Sequence, residues 1–356
     1  MHIARLQARS FRLFQALDLE AHPQLNLVFG GNGEGKTSTL EALYVLGRGS
    51  SYRAASPALV RDGDQAWALE AAIDAGRSAP AERLNLQWRE HATRIGWGNE
   101  TLPVLELVRR LPVQLIDPGT HRLLEEGPGI RRRSLDWGVF HVEQSFLAVW
   151  KRAHRALRQR NSALRSGASS QSLDAWDREL AEATEPLTAL RSDHVERLAG
   201  ETRTMLQTLL PGEDWNLEFS AGWDNRRPYQ EVLAASRDRD RQRGLTLSGP
   251  HRAELGFYRA GRAVKGRISR GQQKLLIAAF VLAQCRLILA GGGQAPVLLV
   301  DDFSAELSAE FQRRLLGALL GYPGQKFVAA LEREEPLRGL GACRMFHVEH
   351  GGLRPL

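Results

Sequence analysis

A glycine-rich loop near the amino end has the residue types and spacing that hold a polyphosphate. Its residues are Gly30, Gly31, Asn32, Gly33, Glu34, Gly35, Lys36, Thr37 and Ser38. Residues 30–37 match the eight-residue phosphate-loop pattern, in which glycines let backbone N–H groups converge on phosphate oxygens. We expect Lys36 to reach the β- and γ-phosphates as a catalytic residue and the Thr37 hydroxyl to bind Mg²⁺. A dinucleotide-binding fingerprint is excluded, because Lys36 stands where that motif needs a small residue.

Two acids follow an apolar run near the carboxyl end of the chain. Residues 296–300 are apolar and lead directly to Asp301 and Asp302. A carboxylate at the carboxyl end of a parallel strand lies beside the phosphate loop and can hold Mg²⁺. We therefore assign Asp301 to the metal and Asp302 to the attacking water, both as catalytic residues. Lys36 and Asp301 lie 301 − 36 = 265 residues apart. This spacing excludes compact GTPase-like layouts and favours an ATPase head built from both ends of the chain.

The elements that position these residues follow from hydrophobic periodicity. Apolar runs predict strands over 3–11, 17–21 and 25–29, and a helix follows the glycine-rich loop. Alternation within residues 66–100 predicts an antiparallel sheet. Near the carboxyl end we expect an amphipathic helix over 271–289, a buried parallel strand over 296–300 and a helix over 309–320. The predicted fold class is therefore α/β.

Residues 119–211 read as a helical lobe inserted into this α/β chain. Its apolar residues recur every three or four positions from Leu173 to Leu190, as in a helix packed on a partner, here residues 146–164. Pro186 falls inside the run and should kink or break the helix. We divide the chain into the amino-terminal half of the head (1–118), the lobe (119–211) and the carboxyl-terminal half (212–356), which also contains strands.

The segment that opens the predicted helix at 271 resembles the signature loop of ABC-type ATPases. Residues 268–274 read Ile-Ser-Arg-Gly-Gln-Gln-Lys, against the usual Leu-Ser-Gly-Gly-Gln. The resemblance implies an ABC-type head with a phosphate loop, in which Ser269, Gly271 and Gln272 grip ATP held by a second protomer. ATP would thereby join two heads.

A closer resemblance, to the RecF family of bacterial recombination mediators, covers nearly the whole chain. The segments that carry it are 10–12, 32–37, 40–44, 131–136, 157–161, 249–252, 269–272, 298–302 and 346–349. This resemblance implies a homodimer dependent on ATP and Mg²⁺ that binds single-stranded and double-stranded DNA at gaps or junctions. It also implies a role in recombinase loading and the SOS response, with other mediator proteins as partners.

Three positions depart from the pattern expected of these families. Ser308 stands where the loop after the two acids usually has Asp. Residues 327–332 contain neither a transporter-type switch histidine nor a threonine-rich run. Gln114 lies near the place of the usual lid-loop glutamine, but inside a strand-like stretch.

Basic residues in the predicted lobe are the candidate contacts with DNA. They are Arg131, Arg132, Arg133, Lys151, Arg152, Arg155 and Arg158. The three- and four-residue spacing places Lys151, Arg155 and Arg158 on one helix face, which would contact phosphates without reading sequence. A solvated helix face is the alternative. His251 is either a structural histidine beside a turn or a catalytic base, and residues 237–243 read as a solvated loop.

Composition narrows the possible classes of protein. The 356 residues carry a net charge of +7, and only five of the 48 basic residues are lysine. Codon bias or a polyanionic partner would explain this balance. Two cysteines and the lack of a long apolar run fit a cytoplasmic protein without a membrane partner.

Three functions remain open from the sequence: a slow DNA-stimulated ATPase, a non-hydrolysing ATP-gated clamp and the ATPase subunit of a membrane transporter. Lys274 either positions the signature loop or is solvated, while Lys265 and Lys326 are expected at the surface.

Overall fold

The computed structural model describes residues 1–76, 80–331 and 335–356. Its strands are β1 (His2–Phe11), β2 (Phe14–Glu20), β3 (Leu25–Phe29), β4 (Trp67–Asp74), β5 (Glu82–Arg89), β6 (Ala92–Trp97), β7 (Glu100–Thr101), β8 (Val113–Ile116), β9 (Trp215–Ser220), β10 (Glu254–Arg259), β11 (Arg262–Ala263), β12 (Val297–Val300), β13 (Lys326–Ala330), β14 (Arg344–Glu349) and β15 (Gly352–Pro355). Its helices are α1 (Lys36–Arg48), α2 (Val104–Arg110), α3 (Arg122–Glu125), α4 (Pro128–Val142), α5 (Phe146–Arg165), α6 (Ser170–Leu209), α7 (Tyr229–Arg243), α8 (Arg270–Ala290) and α9 (Ala309–Leu320). Short 3₁₀ turns span Ser56–Leu59, Pro118–His121, Pro250–Arg252 and Glu335–Leu337.

The chain forms two compact units, and the first is discontinuous in sequence. Met1–His121 and Ser269–Leu356 together form a unit that we call the head. Arg122–Ile268 forms the second unit, the lobe. The head is thus built from both ends of the chain, as the spacing of its two phosphate-site motifs predicts.

A mainly parallel sheet lies at the centre of the head. Its strand order is β15-β14-β3-β13-β12-β8, and all pairs are parallel except β14 with β15. Every residue of β3, β12 and β13 is buried, which explains why these strands are apolar apart from Asn26 and Lys326. The carboxyl ends of β3 and β12 lie at the same edge of the sheet. Gly30 and Asp301 follow these ends, so the sheet positions both predicted motifs.

The predicted antiparallel sheet is confirmed in the head. Its order is β2-β1-β4-β5-β6-β7. Strand β4 alternates between buried and partly exposed residues, so one face of the sheet joins the core. In that core the rings of Phe11 and Trp67 meet edge to face at 5.8 Å.

Helix α8 differs from its predicted amphipathic character. It is buried on almost every side, because it contacts β8, the Pro118–His121 turn and α9. Its length and composition would suffice to cross a membrane, but most of it is buried inside the protein.

The position of Lys326 also differs from the prediction, which placed this residue at the surface. It is buried on β13, where its ammonium donates to the Tyr322 carbonyl at 2.5 Å.

Helices α5 and α6 pack together in the lobe, as their periodicity predicts. Pro186 was predicted to kink or break the helix; it does not break it, since α6 is a single helix of 40 residues that contains Pro186. An interior proline costs roughly 3 kcal/mol. Burial of residues on both sides of it, such as Leu180 and Leu187, offsets that cost.

A buried charge also lies in the lobe. The Arg160 guanidinium is fully buried between Asp177 and Asp240.

The lobe is larger than the predicted 119–211. Strands β9, β10 and β11 form a separate antiparallel sheet, and they contact α6 and α4 rather than extending either head sheet. Residues 237–243 are the end of α7, which packs on α6, and not the predicted loop. Residues 212–268 therefore belong to the lobe, whose strands the sequence division assigned to the head.

Candidate functional site

The glycine-rich loop joins β3 to α1 at the edge of the central sheet. Gly30 is required there by close packing, since a Cβ at this position would lie 2.3 Å from the Val348 carbonyl oxygen. Asn32 and Gly33 are exposed at the tip of the loop, and Ser38 is buried in the first turn of α1. The loop thus presents its backbone to solvent while both of its ends are fixed.

Lys36 lies under the loop in the position expected of a phosphate-binding lysine. Its ammonium is buried and donates to the carbonyl oxygens of Gly30 (2.7 Å) and Gly31 (2.8 Å). The Glu34 carboxylate accepts the N–H of Gly31, so one backbone donor of the loop is already bound to a negatively charged oxygen. Phosphate oxygens can replace such carbonyl and carboxylate acceptors.

Asp301 and Thr37 join the two predicted motifs. The Asp301 carboxylate is buried and accepts the Asp302 N–H at 3.0 Å. The pKa of Asp301 is raised to about 6, and burial is the main cause. The nearby Thr37 side chain lowers this pKa, whereas the negative charge of Asp302 contributes to the rise. A divalent cation would offset this burial of negative charge.

The structure adds two side chains that sequence reasoning missed. Asp117 follows β8, which neighbours β12, and its charge also raises the pKa of Asp301. It ends an apolar strand as Asp301 does, a pattern that could have revealed it. The buried Tyr52 hydroxyl has no hydrogen-bond partner within the described residues, and burial followed by the charges of Asp301, Asp117 and Glu41 raises its pKa.

The residues at this edge fit Mg²⁺ with ATP. Among the described residues, no group of three or more His, Cys, Asp or Glu side chains could hold a metal by itself. Mg²⁺ in such sites takes one or two protein oxygens and completes its shell with phosphates and water. Thr37 and Asp301 could supply those oxygens, and the loop's N–H groups and Lys36 could supply the phosphate donors.

The signature segment begins α8 with a full capping box. The Ser269 hydroxyl accepts the Gln272 N–H at 3.3 Å, and the Gln272 side chain accepts the Ser269 N–H at 3.0 Å. Ser269 is exposed, whereas Gly271 is buried. A Cβ on Gly271 would lie 2.8 Å from the Glu306 carbonyl oxygen. Gly271 therefore lets the signature segment pack directly on the loop that follows the acid pair.

Lys274 fixes that same loop from one turn further along α8. Its ammonium donates to the carbonyl oxygens of Asp302 (2.6 Å), Phe303 (3.1 Å) and Ala305 (3.1 Å). We call these three bonds the Lys274 brace. Burial lowers the pKa of Lys274 to about 8, and the nearby carboxylates of Asp302 and Glu306 oppose this shift. Of the two roles open at the sequence level, the structure supports positioning.

The departures from the family pattern find different explanations. Ser308 caps α9, accepting the Phe311 N–H at 3.3 Å, and Asp would serve equally well as an N-cap. Gln114 lies within β8 and donates to Gln284 at 2.9 Å, so it is part of the core rather than a lid. The 327–332 segment is β13 and Leu331, and Glu332 lies outside the described residues.

Three of the candidate DNA contacts are engaged within the lobe. Arg131 forms two hydrogen bonds to Glu254 at 2.7 and 2.8 Å, and Arg132 donates to the Ala253 carbonyl at 2.7 Å. Arg152 pairs with Glu179 and with the neighbouring Glu182. Carboxylates therefore neutralise the charges of Arg131 and Arg152, whereas Arg132 is held by a neutral carbonyl.

Four other candidates have exposed side chains. Arg133 lies on α4, and Lys151, Arg155 and Arg158 lie on α5.

His251 is largely buried in the lobe, with its Nε2 atom 3.0 Å from the Thr246 carbonyl oxygen. Burial lowers the pKa of His251 to about 4. This geometry favours a structural histidine over a catalytic base.

Comparison with known proteins agrees with this geometry. Residues 2–351 match the family model described as the RecF/RecN/SMC N terminal domain. The DNA replication and repair protein RecF of Stenotrophomonas maltophilia is 40% identical over 358 residues, covering 98% of each chain. That of Thioalkalivibrio sulfidiphilus is 38% identical and covers 99% of each chain.

Solved structures show the same fold. The structure of the recombination mediator protein RecF with ATP, in the RecFOR pathway, has a TM-score of 0.85 at 21% identity and covers 100% of this chain and 97% of that chain. The Smc head domain of Pyrococcus furiosus bound to the C-terminal domain of ScpA has a TM-score of 0.63 at 13% identity and covers 96% of that chain. The predicted α/β class with an ABC-type head is thus confirmed, and by family model and full-length identity the chain belongs to the RecF family.

Proposed function

We propose that this chain is an ATP-dependent DNA-binding protein of recombinational repair and replication, whose heads are joined in pairs by ATP and Mg²⁺. The observation that carries the proposal is the placement of Asp301 and the phosphate loop, which follow the parallel strands β12 and β3 at the same edge of the central sheet. The full-length identity to proteins named for DNA replication and repair supports the repair function over a transporter subunit.

The head's own residues have separate roles in this proposal. On nucleotide binding, Lys36 exchanges loop carbonyls for the β- and γ-phosphates. Thr37 and Asp301 would hold Mg²⁺, which would supply charge neutralisation at the transferring phosphate. Asp302 lies next to Asp301 and orients the attacking water. The exposed Ser269 and the start of α8 contact the γ-phosphate on the partner protomer.

We place DNA, a second copy of the chain and other recombination mediator proteins among the partners. The DNA would be single- and double-stranded at gaps or junctions, contacted by Arg133, Lys151, Arg155 and Arg158 through its phosphates. We propose slow, DNA-stimulated hydrolysis, with roles in recombinase loading and the SOS response in the cytoplasm. A non-hydrolysing clamp differs only in turnover, which an ATPase assay with gapped DNA measures directly.

The test of the paired heads is ATP-dependent dimerisation of Lys36→Arg and Ser269→Arg variants. Ser169→Arg is the matched control, because Ser169 is also exposed and caps a helix, but in the lobe. We expect wild type and the control to dimerise with Mg·ATP in light scattering, and the two head variants to stay monomeric. Dimerisation of both head variants at wild-type ATP concentrations would contradict the pairing. If wild type does not bind gapped DNA at moderate salt, the repair function is wrong.

A further inference from the structure

The chain between Glu254 and Asp301 contains no acidic residue. Within it, cations cluster at Arg259, Arg262, Lys265 and Arg267, all in the lobe. We call these four residues the cationic hairpin, since they lie on and just after the hairpin of β10 and β11. Of these four residues, only Lys265 was expected at the surface from the sequence. A basic segment without acids is unusual in a chain that has 41 acids against 48 bases.

The hairpin opposes two arginines directly. Residues Ala260 and Gly261 form its two-residue turn, with φ of 46° and 71°, and Arg259 pairs across the strands with Arg262. Directly opposed residues lie on the same face of the sheet, and like charges in that position are destabilising. Arg259 is offset by Glu213 and by the Trp215 ring 5.7 Å away.

Arg262 and Arg267 have no neutralising contact of the kind that Arg259 makes with Glu213 and Trp215. Both are exposed, and within the described ranges 1–76, 80–331 and 335–356 neither forms an ion pair with an acidic side chain. Backbone hydrogen bonds nevertheless fix the segment, from Val264 N–H to the Phe257 carbonyl (3.0 Å) and from Arg267 N–H to the Val264 carbonyl (2.9 Å). A fixed segment with unneutralised cations violates a local stability rule, as functional sites do.

The three arginines line one cavity of 580 Å³. Ala260, Ala263, Val264 and Ile268 complete its wall. Small and aliphatic side chains leave room near the guanidinium groups, and the lining contains no carboxylate and no aromatic ring. Guanidinium forks match phosphate oxygens. Without an aromatic platform, stacking on unpaired bases is not available.

We propose that the cationic hairpin is a phosphate-binding site for the backbone of duplex DNA, separate from the basic face of α5. It rests on the proposed DNA binding and adds to it a contact in the β-sheet part of the lobe. Arg262 and Arg267 each neutralise a backbone phosphate, while Arg259 is held by Glu213 and positions the cavity wall. Binding here reads no sequence and weakens with salt.

The test compares an Arg262→Ala/Arg267→Ala variant with wild type by fluorescence anisotropy on duplex DNA across a salt series. Losing two phosphate contacts should weaken binding about tenfold at moderate salt and reduce the slope of log K against log salt by about 1.8. Unfolding stability should hold or rise, since like-charge repulsion is removed. Arg239→Ala/Arg243→Ala is the matched control, with the same charge change on the exposed face of α7.

The possible outcomes separate the site from the proposed function. Weaker binding with a lower slope in the hairpin variant alone supports the site. Wild-type affinity in that variant, or an equal loss in the control, overturns the site while DNA binding stands. If wild type itself binds no duplex, the proposed function fails, and the hairpin site with it.

Discussion

Replacing Lys274 by methionine removes the Lys274 brace while nearly preserving side-chain length. The Phe303 carbonyl is buried and would lose its charged donor, whereas those of Asp302 and Ala305 are only partly buried and can turn to water. One unpaired buried acceptor costs about 1–3 kcal/mol. We therefore expect the free energy of unfolding of the head to fall by about that amount, measured by urea denaturation.

The hydrogen-bond energy lost in the Lys274→Met variant also stabilised the position of the loop that carries Asp302. A change of about 1–3 kcal/mol between two loop arrangements shifts their populations about 5- to 150-fold. ATP hydrolysis in the Lys274→Met variant should fall within that range. Binding of a fluorescent ATP analogue should change little, because Lys36 and its loop hold the phosphates. The Lys274→Arg variant keeps a charged donor and should recover part of the activity.

The pH profile separates the brace from a general loss of structure. Burial lowers the pKa of Lys274 to about 8, so the ammonium is mostly charged at pH 7 and mostly neutral at pH 9. A neutral amine donates weaker hydrogen bonds. Wild-type ATPase should therefore fall between pH 7.5 and 9, and the Lys274→Arg variant should lack this fall. Wild-type turnover in the Lys274→Met variant, or identical pH profiles for wild type and Lys274→Arg, would refute the reasoning.

Three further predictions concern packing and buried charge. In Gly271→Ala, the new Cβ meets the Glu306 carbonyl at 2.8 Å, so urea denaturation should show a loss of about 1–3 kcal/mol, and hydrolysis should fall more than ATP binding. His194 is fully buried and its pKa is lowered to about 4 by burial, below the usual 6.5. His194 therefore contributes a loss of stability of about 2 kcal/mol as pH falls from 7.5 to 5. In denaturation at both pH values, His194→Leu should reduce the pH dependence by that amount and leave the similar contribution of His251. Arg160→Met leaves Asp240 buried without its cation, and calorimetry should show the lobe destabilised by about 3–5 kcal/mol.

Local patterns predicted the elements that carry the candidate phosphate site, because each motif is confined to a short segment. The loop around Lys36 and the strand before Asp301 each carry their own signal, in glycine spacing and in an apolar run ending in acid. Because β3 and β12 run parallel in one sheet, both motifs lie at the same edge, and no long-range contact has to be predicted for this. The capping box of Ser269 and Gln272 is equally local, which is why α8 begins where the signature resemblance placed it.

Contacts between distant segments were not predictable in the same way. Whether Lys274 is solvated depends on the loop some 30 residues later, and Lys326 is buried because β13 is central in its sheet. Pro186 lies in an unbroken helix because tertiary packing outweighs its local cost. The lobe boundary was misplaced because β9 and β10 read as strands from sequence, but nothing local says which sheet they join.

The discontinuity of the head has a consequence for biosynthesis. Strand β3, which leads into the phosphate loop, pairs only with β13 and β14 among the described residues, and both are synthesised after the lobe. The lobe is continuous in sequence, so its contacts can form while β3 still lacks neighbours. The nascent chain can therefore complete the lobe, which carries the proposed DNA contacts, before the central sheet that carries the proposed nucleotide site. Closing the central sheet late, around an already folded insert, lowers the entropic cost of joining the two ends.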